Sequence, residues 1–174
     1  MVERNLCYGS GDAVLQVQGE AIVRNNVLAN GATGFLSTDH QDLSRDLTFV
    51  HNTIVNTGTA AQMTSWNDRP GMTFANNAVY SKDGNAINFA SGSSGVLVTG
   101  NVAFGAVAGV AGGYALGSGL GDFAAATWDG AQLDVTPKPD GALAGAGSSA
   151  QMVVLDLSGA MRFPKLEAGA VDAP

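Results

Sequence analysis

The sequence predicts an all-β solenoid of about four to five short coils. Three observations carry this expectation: a motif built around asparagine recurs about every 25 residues, apolar residues alternate in short runs, and glycine is abundant while charge is scarce.

The motif is clearest in "FVHNTIVN", residues 49–56, where His51 and Asn52 stand between two apolar pairs. "IVRNNVLAN" from Ile22, "FANNAVYS" from Phe74 and "LVTGNVAFG" from Leu97 repeat it. The equivalent residues Asn26, Asn52, Asn77 and Asn101 are therefore 26, 25 and 24 positions apart. That period suits stacked solenoid units and is shorter than the period of tetratricopeptide or ankyrin helices. Asparagine is a poor strand residue but tolerates left-handed backbone angles, so each of the four is expected to turn a corner. Phe49 and Ile54 should then point inward on either side of Asn52. With coils stacked roughly 4.8 Å apart, the side chains superpose. Each amide is predicted to donate to the next carbonyl, forming a buried ladder.

A second run follows each corner: "GATGFLSTD" from Gly31, "GTAAQMTSW" from Gly58, "GNAINFAS" from Gly84 and "GGYALGS" from Gly112. These read as the longer strand of each coil, with the leading glycine supplying the wider bend. Segments of unequal length, "HQDLSRD", "NDRPG" and "SGSSG", read as projecting loops.

Composition bounds the function. Only 13% of residues are charged, 45% are hydrophobic and 24 are glycine, the profile of a folding chain of tight turns and short strands. A net charge of −7 and a pI near 4.4 lack the basic footprint of a phosphate binder, so nucleic acid is not an expected partner. The single Cys7 excludes an internal disulfide and reads as a small buried apolar residue. No apolar stretch approaches the length of a membrane span, and "MVERNLCYGSGD" lacks the pattern of a signal peptide. The GGxGxD, GxxxxGK[ST], GxSxG and HExxH motifs do not occur.

The text changes after Asn101: residues 102–125 are rich in alanine and glycine, and from Trp128 it runs "WDGAQLDVTPKPDGALAGAGSS", then "DLSGAMRF", then "EAGAVDAP". Together with the four asparagine coils, the segments "KPDGALAGAG", Asp156 to Arg162 and "EAGAVD" make the chain from about Ile22 to Asp172 resemble bacterial proteins of the pectate-lyase-like superfamily. Their C-terminal ends carry an "SPAIDAG"-like, a "DxxGxxR" and a "DIGAxE"-like segment. The resemblance implies a right-handed parallel β-helix, with coils over residues 1–125 and an irregular C-terminal cap over 126–174 of the same domain. It also implies an extracellular or cell-surface setting. Two departures stand out. Ala144 replaces the family's aspartate, and no capping helix precedes Ile22. The first coil is therefore expected to be open, with the chain forming the C-terminal part of a longer protein or self-associating through that coil. Asp156 and Arg162 are expected to pair and fix the cap.

In the β-helix enzymes that this chain resembles, the substrate groove follows the long strand and the loops after it, with acidic residues binding a metal and Lys or Arg serving as base. Counting from the ladder, one offset lands on Asp39, Ser65 and Ala90, and three positions beyond the first two come Asp42 and Asp68. Asp39, His40, Asp42 and Arg45 are thus expected to meet Trp66, Asp68 and Arg69 of the next coil in a groove for a carbohydrate polymer. Trp66 would stack on a sugar ring, Asp42 and Asp68 would hold hydroxyls or Ca²⁺, and Arg69 would meet a uronate carboxylate. Trp128, in the C-terminal segment, is placed outside this groove. The competing reading is a solvated loop, and Asp68-Arg69-Pro70-Gly71 is also good turn chemistry. His51 reads as a corner residue that packs or bonds. The only lysines are Lys82, Lys138 and Lys165, none near the groove, so a lyase would have to use Arg69 as its base. Two functions follow: a polysaccharide-binding or polysaccharide-processing protein, lyase- or hydrolase-like, and a non-catalytic structural or adhesin-like surface module.

Overall fold

Short apolar runs separated by polar corners wind into a parallel β-solenoid with three faces. The computed structural model describes residues 1–162 and 166–173, so Lys165 lies outside the described residues. The strands in chain order are β1 (Val2–Glu3), β2 (Leu6–Val17), β3 (Ala21–Arg24), β4 (Val27–Ser37), β5 (Leu47–Val50), β6 (Thr53–Asn56) and β7 (Ala61–Met63). They continue as β8 (Thr73–Ala75), β9 (Ala78–Phe89), β10 (Leu97–Thr99), β11 (Asn101–Ala108), β12 (Tyr114–Leu116), β13 (Phe123–Ala126) and β14 (Leu133–Pro137). No α-helix occurs among the described residues.

The first face stacks β1, β3, β5, β8 and β10 in that order, all parallel, which makes four full turns. The second and third faces share one sheet, because β2, β4 and β9 each bend through a corner without a break. Side chains alternate in and out, as the two-residue period of a strand requires. In the first-face register Val23, Phe49 and Phe74 superpose and are fully buried. Phe49 and Phe74 stack with ring centroids 5.4 Å apart. Across the corner Leu28, Ile54 and Val79 superpose and fill the same interior, so Phe49 and Ile54 do point inward.

The polar pair at each first corner divides into two jobs. The left-handed residue is the one before the ladder asparagine: φ is 59° at Arg4, 53° at Asn25, 51° at His51, 56° at Asn76 and 66° at Gly100. This corrects the expectation that Asn52 itself turns the corner. Asn52 points inward instead. Its Nδ2 shares its hydrogens among the carbonyls of Val50 (3.1 Å) and Val23 (3.0 Å) and Asn77 Oδ1 (3.3 Å). Its backbone N–H also donates to Asn77 Oδ1, at 2.9 Å. Asn26 bonds Asn52 in the same way, and Asn77 bonds Asn101. The ladder has one more rung than the spacing announces: Asn5 donates to Asn26 Oδ1 through its backbone (3.1 Å) and its side chain (2.9 Å). At the other end Asn101 donates to the carbonyl of Gly113 through both nitrogens, at 3.2 and 3.1 Å.

Gly31 and Gly84 at the second corner serve close approach rather than a left-handed bend. A Cβ on Gly31 would lie 2.5 Å from Val14 Cγ2, and one on Gly84 would lie 2.8 Å from the Thr59 backbone nitrogen. The run from Gly112 differs from its expected counterparts. Tyr114–Leu116 pairs with Asn101–Ala103 on the second face, so it is not a longer third-face strand.

The C-terminal segment lies along the side of the stack instead of over its end. The reason is apolar: Val27, Val55, Ala78, Tyr80 and Val102 point outward from the second face and need cover. The antiparallel hairpin β13–β14 supplies Phe123 and Val135, and the chain beyond adds Leu143, Ala168 and Ala170. The segment then follows the first corner. Asn76 Nδ2 donates to the carbonyls of Ser148 and Gln151, Asn25 Nδ2 to that of Leu155, and Arg4 Nε to that of Leu157. Arg162 is a clamp, with a different partner from the one expected. Its guanidinium pairs with Asp172 and donates to Asn25 Oδ1 (3.0 Å) and the Gly169 carbonyl (2.9 Å). Asp156 instead closes its own turn, accepting from Ser158 Oγ (2.7 Å) and the Ala160 N–H (2.9 Å).

At the N-terminal end β1 and β2 each pair on one side only. Cys7, Val14, Leu15 and Val17 are consequently half-buried, and Leu6 and Tyr8 are exposed. Cys7 thus packs against the core without the full burial expected of it.

Asn52→Leu keeps the branched outline of the side chain but leaves the Asn26 N–H and amide facing a methyl group. We predict a loss of roughly 1–3 kcal/mol for each buried group left unpaired, read as a lower urea midpoint. A midpoint equal to the parent's would show that the ladder is not stabilising.

Candidate functional site

Three third-face loops, following β4, β7 and β9, form the edge where the groove is expected. Asp39 is fixed on both oxygens: Oδ1 accepts the Ser44 N–H at 2.7 Å, and Oδ2 accepts Arg69 Nη2 at 2.8 Å. This pair and Thr64, Ser65, Asn67 and Ser91 line a shallow polar cleft of about 340 Å³. Asp39 and Arg69 are the two expected site residues that the fold brings together. Thr64, Asn67 and Ser91 were not singled out from the sequence. Their only signal is that they flank the strand ends of successive coils.

The other expected residues go elsewhere. Asp42 accepts Arg45 Nη1 (3.0 Å) and the Leu43 N–H (2.8 Å), and these bonds hold its carboxyl below the usual carboxylate range. Arg45 also reaches back to Glu20 Oε1 at 3.1 Å. Asp68 bonds within its own loop and, through its backbone, to the next coil. Its Oδ2 accepts from Asn67 Nδ2 at 2.8 Å, and its N–H donates to the Ser94 carbonyl at 2.8 Å. Asp42 and Asp68 share no hydrogen-bonding partner. Among the described residues no three His, Cys, Asp or Glu side chains gather as a ligand set. His40 is exposed and does not line the cleft.

Trp66 is the largest correction. It is 0% exposed, so it offers no face to a sugar ring. Its indole Nε1 donates to Ser37 Oγ of the preceding coil at 2.8 Å, and the ring meets Phe74 and Phe89 edge-on at 6.4 and 5.9 Å. A tryptophan whose one polar atom finds a buried acceptor belongs in the core. Ser37 supplies that acceptor, a pairing across coils that the local sequence does not reveal.

A second polar cluster is buried where the C-terminal segment crosses the first corner. His51 is fully buried, and its Nε2 lies 3.0 Å from Asn76 Nδ2. Burial, reinforced by the charge of Arg162, pulls its pKa down to about 3, so the imidazole is neutral and bonds the corner as expected. Around Arg162 stand three carboxylates, those of Asp172, Glu167 and Asp156. Burial pushes Asp172 up to about 6 despite the guanidinium beside it, with the other two carboxylates acting in the same direction. This arrangement joins two parts of the chain.

Comparison of the chain with protein-family models, curated proteins and solved structures finds no match. What stands is the class the geometry defines: a parallel β-solenoid of four turns with a buried asparagine ladder.

Two predictions follow from these placements. Trp66→Ala should destabilise the fold by about 3–5 kcal/mol, the cost of emptying a buried aromatic site; a variant as stable as the parent in a denaturant melt would contradict the buried placement. A carboxyl whose pKa is raised in the folded state destabilises it while ionised, so stability from Asp172 should rise as pH falls from about 7.5 to about 5. Thermal melts at both pH values should show this gain in the parent and less of it in Asp172→Asn. An equal gain in both would remove Asp172 as its source.

Proposed function

We propose that the chain is a non-catalytic β-solenoid module that presents its polar edge to a carbohydrate polymer. One observation carries this reading. The charges in the cleft cancel within the fixed Asp39–Arg69 pair, while Thr64, Ser65, Asn67 and Ser91 add neutral hydroxyl and amide groups suited to sugar hydroxyls. Processing would need a free acid or base beside the bond that breaks. Arg69, which a lyase would have to use as its base, is held by Asp39, and a guanidinium does not give up its proton in proteins. Binding without turnover fits an adhesin-like surface, and a setting outside the cell or on its surface is part of this proposal.

Titration calorimetry with neutral and uronate oligosaccharides tests the proposal. Binding should be detectable at millimolar concentration and about tenfold weaker in Arg69→Ala, a difference of roughly 1.4 kcal/mol. Incubation with the same polymers should release no new reducing ends and no unsaturated products. Cleavage would reinstate a processing enzyme, and absence of any binding would leave a purely structural solenoid.

A further inference from the structure

The aromatic platform missing from the polar cleft exists elsewhere, at the residue the sequence placed out of play. Trp128 lies in the turn of the β13–β14 hairpin, which crosses the second corner of the solenoid. One side of its indole is backed by protein: it stacks on Phe104 at 6.0 Å and 28°, and Phe104 stacks on Tyr80 at 6.1 Å and 19°. Tyr80 is fully buried, and its hydroxyl donates to Asp122 Oδ2 at 2.7 Å. The column is thus anchored in the second hydrophobic cluster. Two side chains from successive coils hold the turn itself: Thr57 Oγ1 donates to the Trp128 carbonyl (3.2 Å), and Asn30 Nδ2 donates to that of Asp129 (2.9 Å). Trp128 remains half-exposed over an open cleft of about 620 Å³ that Lys82, Asp129 and Gln132 also line.

We infer that this cleft binds a neutral saccharide ring, with its C–H face on the Trp128 indole and its hydroxyls bonded by Lys82 and Asp129. A fixed aromatic face of which only one side is open suits a sugar, which needs one apolar contact and several polar ones. A planar aromatic ligand would be better served by a slot closed on both sides. The charges of Lys82 and Asp129 cancel, exposed Asp83 stands next in the chain, and the molecule carries a net charge of −7, so a polyanion is disfavoured. The ammonium donates, the carboxylate accepts, and together they match the two roles of a hydroxyl. Because the platform is held before the ligand arrives, little side-chain freedom is lost on binding. The ligand class rests on the carbohydrate reading above; the cleft itself is separate from the one at Asp39 and Arg69.

The chain has two tryptophans, and Trp66 is shut in the core, so a ligand-dependent change in emission reports on Trp128. The full chain is titrated with cellohexaose, xylohexaose and mannohexaose, with hexagalacturonate as the anionic comparison, and followed by fluorescence and calorimetry together. At least one neutral hexasaccharide should change the emission. Trp128→Ala should weaken that binding at least tenfold, and Lys82→Gln, which alters an exposed side chain without touching the packing, should weaken it several-fold. Heat of binding without an emission change would overturn this cleft and leave the Asp39–Arg69 cleft standing. Equal affinity in Trp128→Ala, or binding of hexagalacturonate alone, would also overturn it. Neither heat nor emission change with any probe would overturn both the cleft and the carbohydrate reading.

Discussion

Every coil must bring its backbone through a tight inner corner, and at that corner amide groups become buried with no strand partner beside them. The asparagine ladder resolves this constraint. Each Oδ1 accepts two nitrogens of the coil before it, and each Nδ2 reaches backbone carbonyls, as at Asn52 with Val50 and Val23. An unpaired buried polar group costs about 1–3 kcal/mol, so the ladder fixes where the chain turns. The number of residues between rungs is free to vary, 26, 25 and 24 in the repeat and 21 from Asn5 to Asn26.

The residues just before the ladder show the complementary case. Arg4, Asn25, His51, Asn76 and Gly100 all take the left-handed conformation, yet only the two asparagines share a side chain. They differ because each meets a different part of the C-terminal segment. Asn76 is bonded by Ser148 and Gln151, Asn25 by Leu155 and Arg162, and at Gly100 a Cβ would come within 2.6 Å of the Ser148 nitrogen. The segment that covers the apolar side of the second face therefore also takes up the polar groups of the corner. Solenoid and brace are one folding unit in this sense, and Arg162 with Asp172 closes the seam between them.

The architecture was legible because it repeats. Four asparagines at nearly constant spacing identified the corner, the inward residues and the ladder from sequence alone, while Asn5 escaped notice because its coil is shorter, 21 residues instead of about 25. The candidate groove was far less legible. Its position along the loops could be counted from the ladder, and Asp39 and Arg69 do meet there. The direction of each side chain could not be counted. Trp66 turns inward because Ser37, more than a full coil earlier, offers its indole an acceptor, and Trp128 faces solvent because Phe104 and Tyr80 back it from two other coils. Contacts between coils decide both, and no local pattern encodes them. The Asp156–Arg162 pairing failed for a related reason: Asp156 accepts from Ser158 and Ala160 in its own turn and from the Asp172 N–H, which leaves Arg162 to the Asp172 carboxylate.

Amide hydrogen exchange tests the central role of the ladder most directly. The backbone N–H groups of Asn26, Asn52 and Asn77 each donate to the next asparagine's Oδ1, at 3.0, 2.9 and 3.0 Å, in the buried interior. If the ladder holds the coils together, these amides open only when the whole chain unfolds. They should exchange with one common free energy equal to the global stability, well above that of loop amides such as those of Ser91 and Ser93. Exchange of Asn52 and Asn77 at loop-like rates, while the amides of the second-face strands stay protected, would contradict the account.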